Sequence, residues 1–109
     1  MRKVFSYQEI DDMLQQHPVC LLFLGSEECQ VCHAVRPHIE KMVDEISGVR
    51  GLDGSIDQIQ EAAGQFLIFT VPAVLVFLDG REVFRGARFI DLKRLHSVLR
   101  TITASHDEL

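Results

Sequence analysis

Residues 25–37 read Gly25-Ser26-Glu27-Glu28-Cys29-Gln30-Val31-Cys32-His33-Ala34-Val35-Arg36-Pro37. Two cysteines stand three apart, and a histidine follows the second. The C-x-x-C spacing fits a dithiol redox pair or half of a zinc site; C-x-x-C-H is also how a c-type haem is attached. The flanks begin to sort these chemistries. Before the stretch, Val19-Cys20-Leu21-Leu22-Phe23-Leu24 is a continuous apolar run, as expected of a strand buried on both faces. From Gln30 to about Ile46 the pattern is helical, with Val31, Val35, Ile39, Met42, Val43 and Ile46 on one broad face. Pro37 lies inside that helix, where a proline removes one backbone hydrogen bond. Gly48 is a stop signal. The cysteines therefore sit where a buried strand gives way to a helix.

Further out, Arg2 to Phe5 reads as a short strand. Ser6-Tyr7-Gln8-Glu9 is a capping box that opens a helix with Ile10, Met13 and Leu14 on one face. Pro18 ends that segment. Residues 49–56, VRGLDGSI, read as another short strand. Asp57 is expected to cap a helix running to about Gln65, with Ile59 and Ala62-Ala63 inward. After Phe66 to Phe69 and Thr70-Val71-Pro72 comes the apolar strand Ala73 to Leu78. Asp79-Gly80 signals a hairpin into a strand from Arg81 to Arg85. Asp91 caps a last helix, with Leu92, Leu95, Val98, Leu99 and Ile102 spaced by threes and fours. The order β-α-β-α-β-α-β-β-α predicts an α/β protein with a parallel sheet and an antiparallel hairpin edge.

The chain has 109 residues, a length that suits one domain spanning 1–109. Eleven basic and sixteen acidic residues give a net charge of −5 without a run of like charge, a surface ill suited to nucleic acid or anionic membrane. No apolar run approaches the ~18–20 residues of a membrane span. Three cysteines are too few, and too odd in number, for a disulfide scaffold, and suit a reducing compartment with one working dithiol. The start, MRKVFSYQEIDDML, has no apolar core of a secretory signal, so a cytoplasmic protein is expected. The last four residues, His106-Asp107-Glu108-Leu109, spell HDEL. That tag would place the chain in the endoplasmic-reticulum lumen if a signal peptide were missing; otherwise it is a frayed polar tail.

At this point the chain resembles the thioredoxin family along essentially its whole length. C-x-x-C lies between a buried strand and a helix start. Pro37 follows the second cysteine by five residues, as the family's helix-kinking proline does. Val71-Pro72 opens the fourth strand, where the family has a cis-proline facing the dithiol. Gly80 follows that proline by eight residues, in the hairpin. The resemblance implies a thioredoxin-like fold, a central mixed five-stranded sheet flanked by four helices. It also implies a thiol–disulfide oxidoreductase acting through Cys29 and Cys32, with no cofactor of its own. The sequence departs from the family pattern in three places. Glu28 stands where a tryptophan usually precedes the first cysteine. Phe23 takes the place of a buried acid, and Gln30-Val31 replaces Gly-Pro. The chain is a divergent thioredoxin-like protein.

A cysteine at a helix N-terminus is favoured as the thiolate, which is the nucleophile. Cys29 is thus the expected attacking thiol and Cys32, one turn in, the resolving thiol. The helix end contributes about 0.3–1 kcal/mol to an exposed anion, and each of Glu27 and Glu28 at ~6 Å opposes it by about 0.7 kcal/mol before screening. The terms nearly cancel, so Cys29 should be a thiol of middling acidity, that of a reductant or mild exchanger of protein disulfides. By resemblance, Val71 offers its backbone to an extended substrate and Pro72 packs beside the dithiol. By the same matching, Asp53 falls near the missing acid and is a candidate proton acceptor for Cys32, or otherwise a strand-edge acid. Partners implied are protein or small-molecule disulfides and a thioredoxin-reductase-like electron donor of the flavin class.

Three rivals stand beside this reading. Haem attachment would use Cys29, Cys32 and His33, but a sheet protein filled by its own side chains leaves no haem pocket. Zinc could draw on Cys29, Cys32, His33 and His38, yet a tetrahedral site from one helix is awkward; no metal is expected. A non-enzymatic adaptor with the same fold would have no need of the second cysteine. Cys20, inside the apolar run, should behave as a small hydrophobe.

Overall fold

The computed structural model describes residues 1–107. Its elements are β1 (Arg2–Lys3), α1 (Tyr7–Gln16), β2 (Val19–Gly25), α2 (Gln30–Glu45), β3 (Arg50–Ser55), α3 (Gln60–Gln65), β4 (Ala73–Leu78), β5 (Arg81–Ala87) and α4 (Leu92–Asp107). Five strands form one sheet in the order β1-β3-β2-β4-β5. β1 and β2 run parallel to β3, while β4 runs antiparallel to both β2 and β5. The sheet is mixed, as the resemblance implies, but more of it is antiparallel than the hairpin alone suggests. The cause lies in where strands end. Ser55 closes β3 beside Gly25, and Ala73 opens β4 opposite Leu24. The connection through α3 therefore stays at one end of the sheet, and β4 returns in the opposite sense.

β2 is the centre of the molecule, with all seven residues buried. Its side chains alternate between faces. Cys20, Leu22 and Leu24 join α1 and α3 in one core layer with Ile10, Met13, Ile59 and Ala62. Leu21 and Phe23 join α2 and α4 in the other, with Cys32, Ile39, Met42, Leu95 and Leu99. Burying each such aliphatic side chain contributes about 1.5–3 kcal/mol relative to exposure. The dithiol is thus anchored in one layer, while Cys20 sits in the other, its thiol donating to the carbonyls of His17 and Met13. Burial, opposed by Arg50, pushes the Cys20 thiol up to about 11, so it stays protonated and structural. No helix among the described residues is long and apolar enough to cross a membrane.

Local signals largely hold. Ser6 caps α1, accepting the Glu9 N–H at 3.1 Å. Glu9 reaches back one residue further than a capping box requires, to the Phe5 N–H at 2.8 Å. Asp91 caps α4 by accepting from Arg94 N–H at 3.0 Å. Asp79 and Gly80 both adopt positive φ, 50° and 81°, as the mirror-image two-residue hairpin turn demands. Asp57, by contrast, does not cap α3. That helix is only six residues long, begins after Ile59 and has no side-chain cap; the Asp57 carboxylate faces the loop before Cys29 instead. Val31 is 54% exposed, not part of the inward face, because α2 turns Cys32 to the core at its first turn. Of the HDEL sequence, His106 and Asp107 end α4; Glu108 and Leu109 lie outside the described residues.

One polar feature ties the far edge of the sheet to the segment leading into Val71-Pro72. The Arg85 guanidinium donates to the Phe66 and Leu67 carbonyls at 2.6 and 3.0 Å, and to both Glu82 carboxylate oxygens at 2.7 and 3.0 Å. The bidentate carboxylate fixes the fork, and the fork holds residues 66–67 against β5. Arg85→Met should keep the apolar stem but release the segment. Amide exchange over residues 66–71 should speed up about tenfold, equivalent to ~1.4 kcal/mol, with the β2 amides unchanged. Equal protection in both proteins would show that the fork does not hold the segment.

Candidate active site

The site forms where β2 ends and α2 begins. Cys29 occupies the N-cap of α2 in an extended conformation, and its Sγ accepts the Cys32 N–H at 3.1 Å. Serine or aspartate usually fills this position; here a sulfur does. Cys29 and Cys32 are joined as a disulfide with their Cα atoms 5.2 Å apart, inside the range that bridge can span. The two sulfurs are unequal in access. Cys29 is half-buried, whereas Cys32 is 0% exposed. Gly25 makes room for Cys32: a Cβ on it would lie 3.2 Å from Cys32 Cβ and 3.3 Å from its Sγ.

The loop before Cys29 is held from the β3 side. Ile56 N–H donates to Gly25 O at 2.9 Å, and Glu27 N–H donates to Asp57 Oδ2 at 3.1 Å. Glu27 and Glu28 are both exposed. His33 Nε2 lies 2.7 Å from Glu27 O. A carbonyl only accepts, so this nitrogen carries the hydrogen, and the ring turns back over the loop.

On the other side, the Val71–Pro72 peptide is cis. Pro72 is buried and Val71 half-buried, packed against the core layer that contains Cys32. The antiparallel register Leu24↔Ala73 brings Pro72 beside Gly25, and so beside Cys32. Cys29, Cys32, Val71 and Pro72 thus meet at one end of the sheet.

Asp53 is placed differently. It pairs in register with Phe23, on the sheet face that packs against α2. Its carboxylate is only 11% exposed and contacts Arg36, Nε to Oδ2 being 3.3 Å. The approach is off the line of a hydrogen bond, and Nε has no other partner, so this is an ion contact. The Arg36 guanidinium lies over the Phe23 ring, 5.1 Å from its centroid. Burial raises the Asp53 carboxyl above its ordinary range; Arg36 opposes this, Glu40 reinforces it, and Lys3 and the N-terminus oppose it. An open cleft of about 470 Å³ runs past these groups, lined in part by Ser26, Glu27, His33, Arg36, Glu40 and Asp53. It connects the Asp53 carboxyl to solvent beside the dithiol loop.

Several contributors are not among the residues expected from the sequence. Arg36 could have been read as the residue one helical turn after Cys32, on the same face. Asp57 and Gly25 act through tertiary contacts that leave no local signal. Among the described residues, no group of three or more His, Cys, Asp and Glu side chains is placed to hold a metal ion. His33 and His38, the histidines a zinc site would need, are both exposed.

No family model matches the chain. A thioredoxin-like protein of Bacillus subtilis (strain 168), YdfQ, is 32% identical over 102 residues, covering 94% of this chain and 91% of that protein. A thioredoxin of Chlamydia trachomatis serovar D is 28% identical over 103 residues, covering 94% and 97%. Among solved structures, a mutant thioredoxin from Halobacterium salinarum superposes with a TM-score of 0.84 at 21% identity, over 92% of this chain and 88% of that one. The last is a likeness of fold. The first carries more, because it spans nearly the whole of both chains and the C-x-x-C pair stands here at disulfide distance. The chain belongs to the thioredoxin family, as a thioredoxin-like thiol–disulfide oxidoreductase with the pair Cys29–Cys32.

Proposed function

We propose that residues 1–109 act as one domain that reduces or mildly exchanges protein disulfides, with Cys29 attacking and Cys32 resolving. The unequal burial of the two sulfurs carries this division of labour. Only Cys29 is open to a substrate, and it sits on the helix end that favours a thiolate. In the reduced protein, the Cys29 thiolate attacks one substrate sulfur, and the other leaves as a thiolate that takes up a proton. Cys32, deprotonated, then attacks Cys29 Sγ. The mixed disulfide breaks, the second substrate thiol departs, and the Cys29–Cys32 bond closes. The substrate gains two electrons and the protein loses two. A reductase of the flavin class is the kind of donor that would return them.

The remaining residues take supporting roles. The Val71 backbone pairs with the extended substrate as an added strand, and Pro72 holds that backbone beside the sulfurs. Asp53 accepts the Cys32 proton by way of solvent in the cleft. Glu27 and Glu28 set the poise: both are exposed and flank the sulfur that the helix end activates. Small-molecule disulfides fit the open Cys29 as well as protein ones. The cytoplasm, as a reducing compartment, suits such a dithiol.

The test is a disulfide-reduction assay together with the equilibrium potential of the pair against glutathione. Turnover with a potential of about −200 to −270 mV is the expected result. A potential near about −120 mV would make the protein an oxidant and sink the proposed direction. Absence of turnover on protein and small-molecule disulfides alike would favour an adaptor.

A further inference from the structure

The end of the sheet that carries the dithiol also carries exposed phenylalanines. Phe69 is 87% exposed and Phe89 81% exposed, and Val31, between the cysteines, is 54% exposed. Side chains of this size are seldom left in water without a partner when they cluster at a site. Backbone contacts set the segments that carry Phe69 and Phe89 side by side. Arg88 N–H donates to Pro72 O at 2.7 Å, and Ala87 pairs with Ala73. The turn from β5 to α4 thus lies against the Val71-Pro72 segment, three residues after Phe69. Arg88 itself has φ +68°, a conformation uncommon for a residue with a side chain. Its guanidinium stands over the Phe89 ring, 5.6 Å from the centroid.

Charge is unevenly divided across this end. Residues 88–94 hold Arg88, Lys93 and Arg94 against one acid, Asp91, on a chain whose net charge is −5. Asp91 is occupied in capping α4 through the Arg94 N–H. None of the three cations forms an ion pair among the described residues. On the far side of the dithiol, toward β3, stand Glu27 and Glu28. The dithiol lies between a flank with cations and Phe89 and a flank whose loop acids, Glu27 and Glu28, stand before a cleft that Lys3 and the exposed Phe5 also line.

We propose that Arg88 and Arg94, at the turn from β5 to α4, are specificity-determining residues that select disulfide-bearing protein segments acidic over that turn, while Phe89, Phe69 and Val31 cover apolar residues beside the segment's cysteine. The inference rests on the reading of Cys29 and Cys32 as a working dithiol. The aromatic rim removes apolar flanks of the segment from water, and Arg88 and Arg94 attract its carboxylates. Glu27 and Glu28 repel acids on the other flank, so the segment lies in one direction only. A segment basic over the turn meets unpaired cations and is disfavoured.

The test uses peptides of one length, each with a cysteine joined by a disulfide to a fluorogenic thiol. A pair of aspartates, lysines or serines is placed on one side of the cysteine or the other. The reduced protein should show a kcat/KM about tenfold higher for the aspartate than for the lysine peptide on one side only, and raised salt should erode that ratio. In the double variant Arg88→Gln, Arg94→Gln the ratio should fall toward one. Phe89→Ser with Phe69→Ser should raise KM for all three peptides. Equal rates for aspartate and lysine peptides on both sides, or a ratio that survives the arginine variants, would overturn the proposal while leaving the dithiol chemistry intact. If the unaltered protein reduces no peptide at all, the dithiol reading falls first; binding of the oxidised peptides to Cys29→Ser, Cys32→Ser then still reports the charge preference.

Discussion

Cys32→Ser is expected to stop turnover and to leave Cys29 covalently joined to its substrate. The expectation follows from where the sulfurs lie. Cys29 caps α2 and is half-open, so it can still meet a substrate disulfide when Cys32 is a hydroxyl. A hydroxyl does not attack the mixed disulfide, so the reaction halts after its first exchange. Multiple-turnover reduction should drop by about a thousandfold or more, the scale of losing a member of a nucleophilic unit. Mass spectrometry of the intact protein should show the substrate attached at Cys29. Cys29→Ser should lose turnover just as fully, yet capture nothing, because Cys32 is sealed behind Gly25, Phe23 and the first turn of α2. Capture on Cys32 in the Cys29→Ser protein would reverse the assigned roles. Serine is small enough for both positions, and unchanged far-ultraviolet circular dichroism would exclude unfolding as the cause.

Most of the fold could be read from local patterns because its core is built from unbroken ones. β2 is a seven-residue run with no polar side chain, and a run that short, bounded by Pro18 and Ser26, reads as a strand with both faces covered. Ser6, Asp91 and the Asp79-Gly80 pair act through neighbours within four residues, so their effects are written locally. The antiparallel return of β4 is not. It depends on β3 and β4 meeting β2 at the same end, a register that no single segment specifies. Asp57 failed as a helix cap for a similar reason. Its carboxylate had a competing donor, the Glu27 N–H, thirty residues away in sequence.

The site divides along the same line. Cys29 and Cys32 are legible because three-residue spacing at a helix start is itself geometry. Val71 and Pro72 were legible only through resemblance, since Val-Pro before a strand carries no local mark of a partner. The aromatic rim could not be read at all. Phe69 and Phe89 look like core residues by composition, yet both are exposed, and only the bond from Arg88 to Pro72 shows that their segments adjoin at the end of the sheet that carries the dithiol. Arg36 is intermediate: helical spacing places it below Cys32, but its contact with Asp53 needs the sheet.

Asp53→Asn should slow the enzyme and stabilise the fold at the same time. The first effect comes from chemistry. Cys32 must lose a proton before it attacks Cys29, and Phe23 occupies the strand position facing that sulfur. Asp53 is the nearly buried carboxyl in register with Phe23, and its raised pKa makes it a better base than an ordinary aspartate. Loss of that base should cut the resolving step by roughly tenfold to a hundredfold near neutral pH, the lower range for a general base. The deficit should shrink in alkali, where solvent removes the proton directly. Release of the second substrate thiol in a single turnover measures this step, and an unchanged rate would remove Asp53 from the reaction. The second effect comes from linkage. Burial raises the folded-state pKa above the unfolded value, so the folded chain binds the proton more tightly. Stability therefore falls as pH rises through the interval between the two values, and above it the fold carries a poorly hydrated carboxylate. An amide carries no such charge. The asparagine variant should withstand more urea than its parent near neutrality, and the gap should close once pH drops below the ordinary carboxylate range. The Arg36 side chain is 27% exposed, and its buried Nε, the atom that contacts Asp53, meets an amide in the variant in place of a carboxylate. If the variant unfolds earlier at neutral pH, the ion contact outweighs burial and the sign of this balance is reversed. Slower resolution with a firmer fold is the signature of a carboxylate kept buried for its proton rather than for its contact with Arg36.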